Sequence, residues 1–362
     1  MAGAAGTGTA PGATATGTAA GDEIRYPFAA PPAPGEAVEV AEGVLWLRLP
    51  LPMVLDHVNI YALDDGDGWT LIDSGLDTRR TREALSAAFA GPLAGRPLRR
   101  VLVTHYHPDH IGLAGWLQRR GAELLTTRTS WLFARMLTLD EQPRPVPEVL
   151  DFWRGAGMDP ALLARRAVER PFNFADVVAP LPLGYTRIAA GDRLRIGGRD
   201  WRVRIGHGHA PEHATLWQED GPLVIGGDQL LPSISANIGV YATEPMADPL
   251  GEWLQSCRAF EPLARPDQLV LPGHKLPFTG LPLRLRQMID NHAGALMRLE
   301  RHLHRPRSAA ECFLPLFRRE IGEGEYGLAL VEAVAHLNHL LHAGRVVRER
   351  GEEGVWLWRM KT

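Results

Sequence analysis

"VLVTHYHPDHIG", residues 101–112, sets three histidines and an aspartate within six positions, directly behind an apolar run. "RRVLVT" (99–104) reads as a short buried strand and "DHIGLAGWLQRRG" (109–121) as a helix closed by Gly121, so the cluster occupies a tight strand-to-helix turn. Residues two apart on an extended chain share a side, which makes His105 and His107 converge. Asp109 and His110 then face the other way, into a second adjacent site. A lone histidine is usually a packed or solvated residue, whereas H-x-H-x-D-H has the ligand types and the spacing of a metal site.

The chain around this turn reads as an α/β (α+β) protein. "VEVAEGVLWLRLPLP" (38–52) and "VNIYALDDGDGWTLIDSG" (58–75) carry strand patterns with an Asp/Gly-rich hairpin turn, and "TRRTREALSAAFAGPL" (78–93) has helical spacing. A second strand series follows in "DRLRIGGRDWRVRIG" (192–206), "HATLWQEDGPLVIGG" (213–227) and "DQLVLPGH" (267–274). Two such β-then-α halves predict a four-layer αββα sandwich. Between them, residues 128 to about 187 read as a helical insert of three helices, whose large apolar residues Trp131, Phe133, Met136, Phe152, Trp153 and Phe172 either pack the insert or line a pocket over the site.

Composition excludes several classes. With 362 residues, 45% hydrophobic and 22% charged, the chain is of ordinary globular make-up, and no run approaches the roughly 20 apolar residues of a membrane span. A net charge of −3 gives no electrostatic case for nucleic acid or anionic lipid. Cys257 and Cys312 are too few for a disulfide framework or a thiolate zinc site, so histidines and carboxylates must supply any metal ligands. Residues 1–38, rich in Ala, Gly, Thr and Pro, read as a disordered N-terminal arm. They lack the features of a secretory or transit signal, which leaves the cytoplasm as the default location.

The His/Asp turn resembles that of the metallo-β-lactamase-fold hydrolases, in the glyoxalase-II-like and lactonase-like branch. "LIDSG" matches the family at Asp73, "GHGHAPEH" at His209, "LVIGGDQLL" at Asp228 and "LVLPGHKLPF" at His274, in family order over roughly residues 40–280. The resemblance implies that His105, His107 and His209 hold one divalent metal ion, that Asp109, His110 and His274 hold the other, and that Asp228 bridges them. Imidazole and carboxylate without thiolate suit Zn²⁺, and Fe or Mn equally. It further implies attack by a metal-bridging hydroxide, with Asp109 as the catalytic carboxylate and Asp73 orienting a histidine of the first site. His207 and His213 flank the third ligand without matching its position, and His57 lies where the family's cleft begins. Tyr106 is expected to pack away from the metals, while Tyr185 and Tyr241 are candidate oxyanion donors.

An aspartate at 228 separates the chain from true β-lactamases of this fold, which use Cys or Ser near that position, and His107 separates it from the flavodiiron type. The expected activity is hydrolysis of a small ester, thioester or lactone. The alternatives are a nuclease acting on single-stranded RNA and an iron-dependent persulfide-type dioxygenase.

After the catalytic domain (39–280), residues 281–362 read as a linker helix followed by helix, helix and hairpin, which resembles the winged-helix-like appendage of some superfamily members. From residue 281 onward 13 Arg and Lys stand against 10 Asp and Glu, no electrostatic footprint for RNA. This domain is therefore expected to buttress the sandwich or to mediate homodimer contacts. His336, His339 and His342, at helical spacing within it, form either a packing face or a metal site. A small-molecule substrate is the expected partner, with neither nucleic acid nor membrane.

Overall fold

The computed structural model describes residues 23–361. Among them, seven strands form a first sheet in chain order: β1 (Val38–Ala41), β2 (Val44–Pro50), β3 (His57–Asp64), β4 (Trp69–Ile72), β5 (Leu98–Leu102), β6 (Glu123–Thr126) and β7 (Thr186–Arg187). The first four pair antiparallel and the rest parallel. The switch follows from the connections. A short Asp/Gly turn joins β3 to β4, whereas β4 reaches β5 through helix α1 (Arg79–Ala90), whose N-terminus is capped by the Thr78 hydroxyl accepting the Thr81 N–H at 3.2 Å. β5 reaches β6 through α2 (Pro108–Ile111) and α3 (Ala114–Gln118), and β6 reaches β7 through α4 (Arg128–Leu139), α5 (Pro147–Gly155) and α6 (Pro160–Arg166).

The second sheet has five strands in the order β12-β11-β10-β9-β8, where β8 is Arg193–Ile196, β9 Arg199–Gly206, β10 His213–Gln218, β11 Leu223–Gly227 and β12 Leu269–Pro272. Only β11 and β12 are parallel, and α7 (Pro249–Phe260) lies between them in the chain. The facing sides of the two sheets share one apolar layer containing Trp46, Tyr61, Ile72, Trp201, Val203 and Leu216. Each such fully buried large side chain contributes about 1.5–3 kcal/mol of burial. A second cluster joins the outer face of the first sheet to α1, α2 and α3, and a third joins the outer face of the second sheet to α7 and α8 (Leu281–His302). These three cores make the four αββα layers.

Beyond α8 come α9 (Phe313–Phe317), α10 (Tyr326–His342) and a hairpin of β13 (Val346–Arg350) and β14 (Trp356–Met360). The buried side of α10, with Leu330, Val334 and Leu337, belongs to the same core as α7 and α8. α10 is also tied to the segment before α7: His339 contacts Asp248 at 3.0 Å, His342 meets the Met246 carbonyl at 2.7 Å, and Asn338 donates to the Pro245 and Ala247 carbonyls. His336 pairs with His292 of α8 at 3.2 Å. The histidine row of α10 is therefore a packing face.

One expectation needs correcting. Residues 1–22 of the predicted disordered arm lie outside the described residues, but 23–38 are placed: Arg25 bridges to Thr279, Phe28 sits edge-on against Trp46 at 6.2 Å, and Ile24 packs on the α7/α8 core. The low apolar content of the whole stretch hid two well-placed anchors. The three helices of the expected insert are present and dock in two places. α4 lies over the first sheet's helical layer, where Trp131 stacks on Tyr185 at 4.9 Å, whereas α5 and α6 dock on the C-terminal region through Phe152 on Trp356 and an Ala310 N–H to Ala156 carbonyl bond of 3.2 Å.

Candidate metal centre

The seven candidate ligands converge where β5, β9, β11 and β12 end, the side on which α/β sheets generally present their sites. His105 and His107 stand in the bend that follows β5. Pro108 then starts α2, with Asp109 in its first turn and His110 one residue on. His209 stands in the turn after β9. There Gly208 has φ 100°, and a Cβ on it would lie 2.5 Å from the Pro249 carbonyl oxygen, so only glycine lets this turn close on α7. Asp228 follows β11 and His274 follows β12.

Three overlapping groups have ligand atoms within 4.8 Å of one another: His105, His107 and His209; His105, His110 and Asp228; and Asp109, His110 and His274. Asp228 reaches all of them, with Oδ2 3.4 Å from His209 Nε2 and 3.3 Å from His274 Nε2, and Oδ1 3.4 Å from His110 Nε2. All seven predicted ligands thus share one centre, and Asp228 lies between the two trios.

Four of the five histidines are held by the ring nitrogen that faces away from the centre. His105 Nδ1 contacts the Thr104 hydroxyl at 3.0 Å, His110 Nδ1 the Asp73 carboxylate at 2.8 Å, His209 Nδ1 the Asn237 carbonyl at 2.8 Å, and His274 Nδ1 the His57 carbonyl at 2.8 Å. Their inward Nε2 atoms are a different matter. Those of His105, His110 and His209, together with Asp228 Oδ1, are buried without any hydrogen-bond partner. Buried polar atoms are almost always satisfied, so this concentration of orphans on one point is what a cation site looks like from its ligands.

The electrostatics agree. Burial, reinforced by neighbouring imidazoles, holds His105 and His107 well below the usual histidine range, so both are neutral donors. Burial would also lower His110 and His274, but the surrounding carboxylates overcome it, raising His110 well above its ordinary value and His274 to about 10. Burial would raise Asp109, yet His110 and His274 bring it down to about 2, and Asp228 is likewise held well below the carboxylate range. Two ionised carboxylates and two protonated imidazoles in one buried cluster are positions where cations can replace protons.

Asp73 departs from its predicted role. It bonds His110, a member of the second trio, directly, and reaches His105 only through Thr104, whose hydroxyl lies 2.9 Å from Asp73 Oδ2. His213 is no ligand: its Nε2 accepts the Asp228 N–H at 3.0 Å and its ring stacks on His105 at 4.5 Å. His207 accepts the Glu212 N–H at 3.4 Å. Tyr106 packs against Phe133, Phe174 and the edge of His107, and Tyr185 is taken up by its stack on Trp131. Tyr241 is partly exposed. Sequence reasoning missed Thr104, although it adjoins the motif, and it missed Asn237 and Glu332. Asn237 donates to Glu332 of α10 at 2.8 Å, and the Val240 N–H bonds the Val331 carbonyl at 3.1 Å, so the C-terminal region backs the loop that holds His209.

This arrangement defines a metallohydrolase. Residues 53–274 match the Metallo-beta-lactamase superfamily, and the chain belongs to it; residues 296–361 match the Metallo-beta-lactamase-like, C-terminal domain. The chain is 26% identical to the probable metallo-hydrolase YqjP of Bacillus subtilis over 307 residues, 83% of this chain and 92% of that one. Among solved structures it is similar to a Beta-lactamase domain protein from Burkholderia ambifaria, with 38% identity, a TM-score of 0.87 and coverage of 95% of this chain and 100% of that one. It is also similar to the metallo-beta-lactamase family protein TTHA1429 from Thermus thermophilus, with 27% identity, a TM-score of 0.74 and coverage of 89% and 100%.

Proposed function

We propose that the chain is a dinuclear hydrolase of a small ester, thioester or lactone. The observation that carries this reading is the position of Asp228, whose one carboxylate contacts His209 of the first trio and both His110 and His274 of the second. A single-ion site needs no acid between two sets of ligands. His105, His107 and His209 would hold one ion and Asp109, His110 and His274 the other. The donor set is imidazole and carboxylate throughout, which suits Zn²⁺, Fe or Mn. Divalent ions in such a centre supply Lewis acidity and acidify water toward neutral pH.

The chain's own groups do the rest. Asp109 has a partly exposed carboxylate with Oδ2 3.4 Å from His274 Nε2 and 3.6 Å from His110 Nε2, so it can take a proton from the incoming water and pass it to the leaving group. Asp73, Thr104, Asn237 and His57 fix the rings from outside. The test is metal analysis of the full-length protein together with a panel of thioesters, lactones, phosphodiesters and single-stranded RNA. About two ions per chain and turnover of the acyl substrates are the expected result. Saturation at one ion would refute the dinuclear assignment. Turnover of RNA alone would refute the substrate class, as would oxygen uptake with a persulfide.

A further inference from the structure

A pocket of about 250 Å³ lies beside the metal centre, lined by Tyr26, Arg48, His57, Ser233, Lys275 and Leu276. His57 connects it to the centre, because its ring centroid is 6.1 Å from that of the ligand His274. Two features of this pocket point to a ligand. The first is Lys275. Only two of the chain's 39 Lys and Arg residues are lysine, and this one directly follows a metal ligand. It does so with φ at 69°, in the left-handed region where glycine would sit without strain.

The surrounding bonds hold it there: its N–H donates to His57 Nε2 at 3.0 Å, and its carbonyl accepts from Arg48 Nη2 at 3.0 Å and Asn59 Nδ2 at 2.8 Å. All of these are backbone bonds that glycine would make equally well, so they do not account for the lysine side chain. Strained non-glycine residues of this kind gather at functional sites.

The second feature is Arg48. Its guanidinium is fixed by Asn59 and the Lys275 carbonyl and lies 5.3 Å over the Trp46 ring. It is partly withdrawn from water, yet neither it nor Lys275 makes an ion pair with a carboxylate among the described residues; the nearby Asp56 is engaged with His57 at 2.6 Å. A desolvated cation without a counter-ion is costly. Opposite it, Ser233 stands in a segment pinned by Arg284, which donates to the Leu231 and Ile234 carbonyls at 2.6 and 2.8 Å. The pocket therefore presents two cations without a carboxylate partner, and a hydroxyl, on a hydrogen-bonded frame.

We propose that Arg48, Lys275, Tyr26 and Ser233 form an oxyanion-recognition subsite that takes a carboxylate or phosphate carried by the substrate away from its scissile bond. This deepens the hydrolase reading above and rests on it for the word substrate. Two arms test it, both on full-length protein. In the first, metal-loaded enzyme is given two p-nitrophenyl esters, the half ester of glutaric acid and the neutral pentanoate. Their kcat/KM ratio cancels any general effect on the metal centre.

Lys275→Gly should lower that ratio about tenfold or more, the scale of one charge-assisted hydrogen bond, without lowering Tm, and Lys275→Arg should keep most of it. In the second arm, chelated protein is titrated calorimetrically with glutarate and with inorganic phosphate. Binding of glutarate assigns the pocket to carboxylates and binding of phosphate to phosphate esters, provided that Lys275→Gly weakens it about tenfold. If no ester is hydrolysed, the hydrolase reading fails and the binding arm alone decides the subsite. A ratio within twofold of wild type in Lys275→Gly overturns the proposal. So does oxyanion binding that is absent or indifferent to that substitution.

Discussion

Replacing Gly273 by alanine should empty the metal centre while leaving the fold intact. Gly273 immediately precedes the ligand His274, and its φ is not in the left-handed region, so alanine suits its backbone. The added methyl is what fails to fit. It would lie 2.2 Å from Asp228 Oδ1 and 2.8 Å from His110 Cε1, where real Cβ contacts essentially never fall below 3.0 Å. The backbone cannot yield, because the Gly273 N–H bonds the Gly227 carbonyl at 2.9 Å and its own carbonyl accepts the Asn59 N–H at 2.7 Å.

Asp228 must therefore move by about 0.8 Å, the shortfall between 2.2 and 3.0 Å. Metal–ligand distances tolerate only about 0.2 Å. Disturbing a group that merely supports a ligand typically costs 10–100-fold in metal affinity. Displacing a shared ligand should reach the upper end, about a hundredfold. The assay is metal per chain by mass spectrometry after dialysis against buffered free Zn²⁺, with thermal melts in chelator to follow the fold. In chelator the loss should stay within the roughly 1–3 kcal/mol of a local overpacking. Gly294→Ala, on α8 with nothing nearer to its Cβ than Arg298 Nη1 at 3.4 Å, is the control and should behave as wild type. Wild-type affinity and stoichiometry in Gly273→Ala would refute the placement of Asp228 between the ions.

Asp109→Asn should lower kcat/KM by at least about a hundredfold; near-normal kinetics would exclude Asp109 as the proton carrier. Burial pushes Glu332 from 4.5 up to about 7, so the folded chain holds a proton that the unfolded chain releases. The stability this contributes is complete below pH 4.5 and lost as pH rises through 7. Glu332→Gln, which can keep the bond to Asn237, should therefore match wild-type stability near pH 5 and exceed it at pH 8, by roughly 3 kcal/mol at most, read as a higher Tm; identical Tm profiles would refute the buried carboxyl. Truncation near Arg305 removes α10, which carries the partner of Asn237 and a share of the α7/α8 core. Light scattering should report aggregation, and metal analysis a weakened His105/His107/His209 site. A soluble truncation with full metal content would show the domain to be dispensable.

The candidate ligands were readable because coordination demands particular side chains at particular spacings, and four short motifs at strand ends carry them. What holds the ligands was much less so. His209 and His274 are oriented by the carbonyls of Asn237 and His57, a contact that any residue type can make and that leaves no mark on the sequence. Asp73 was found as a supporting acid but assigned to the wrong trio, because the choice between His105 and His110 depends on how α2 turns after Pro108.

The same limit applies to the layers. Apolar periodicity identified α4, α5 and α6 as helices, yet could not reveal that α5 would meet Trp356, some 200 residues later in the chain, with Gly155 making room for its ring: a Cβ there would lie 2.7 Å from Trp356 Cε2. Gly273 shows the limit most sharply. In "PGH" it reads as an ordinary turn glycine, a residue kept for its backbone. Its φ does not require glycine at all. The constraint comes from Asp228 at the end of a neighbouring strand, so it exists only once β11 and β12 have paired in register and brought the Asp228 carboxylate against this one Cα.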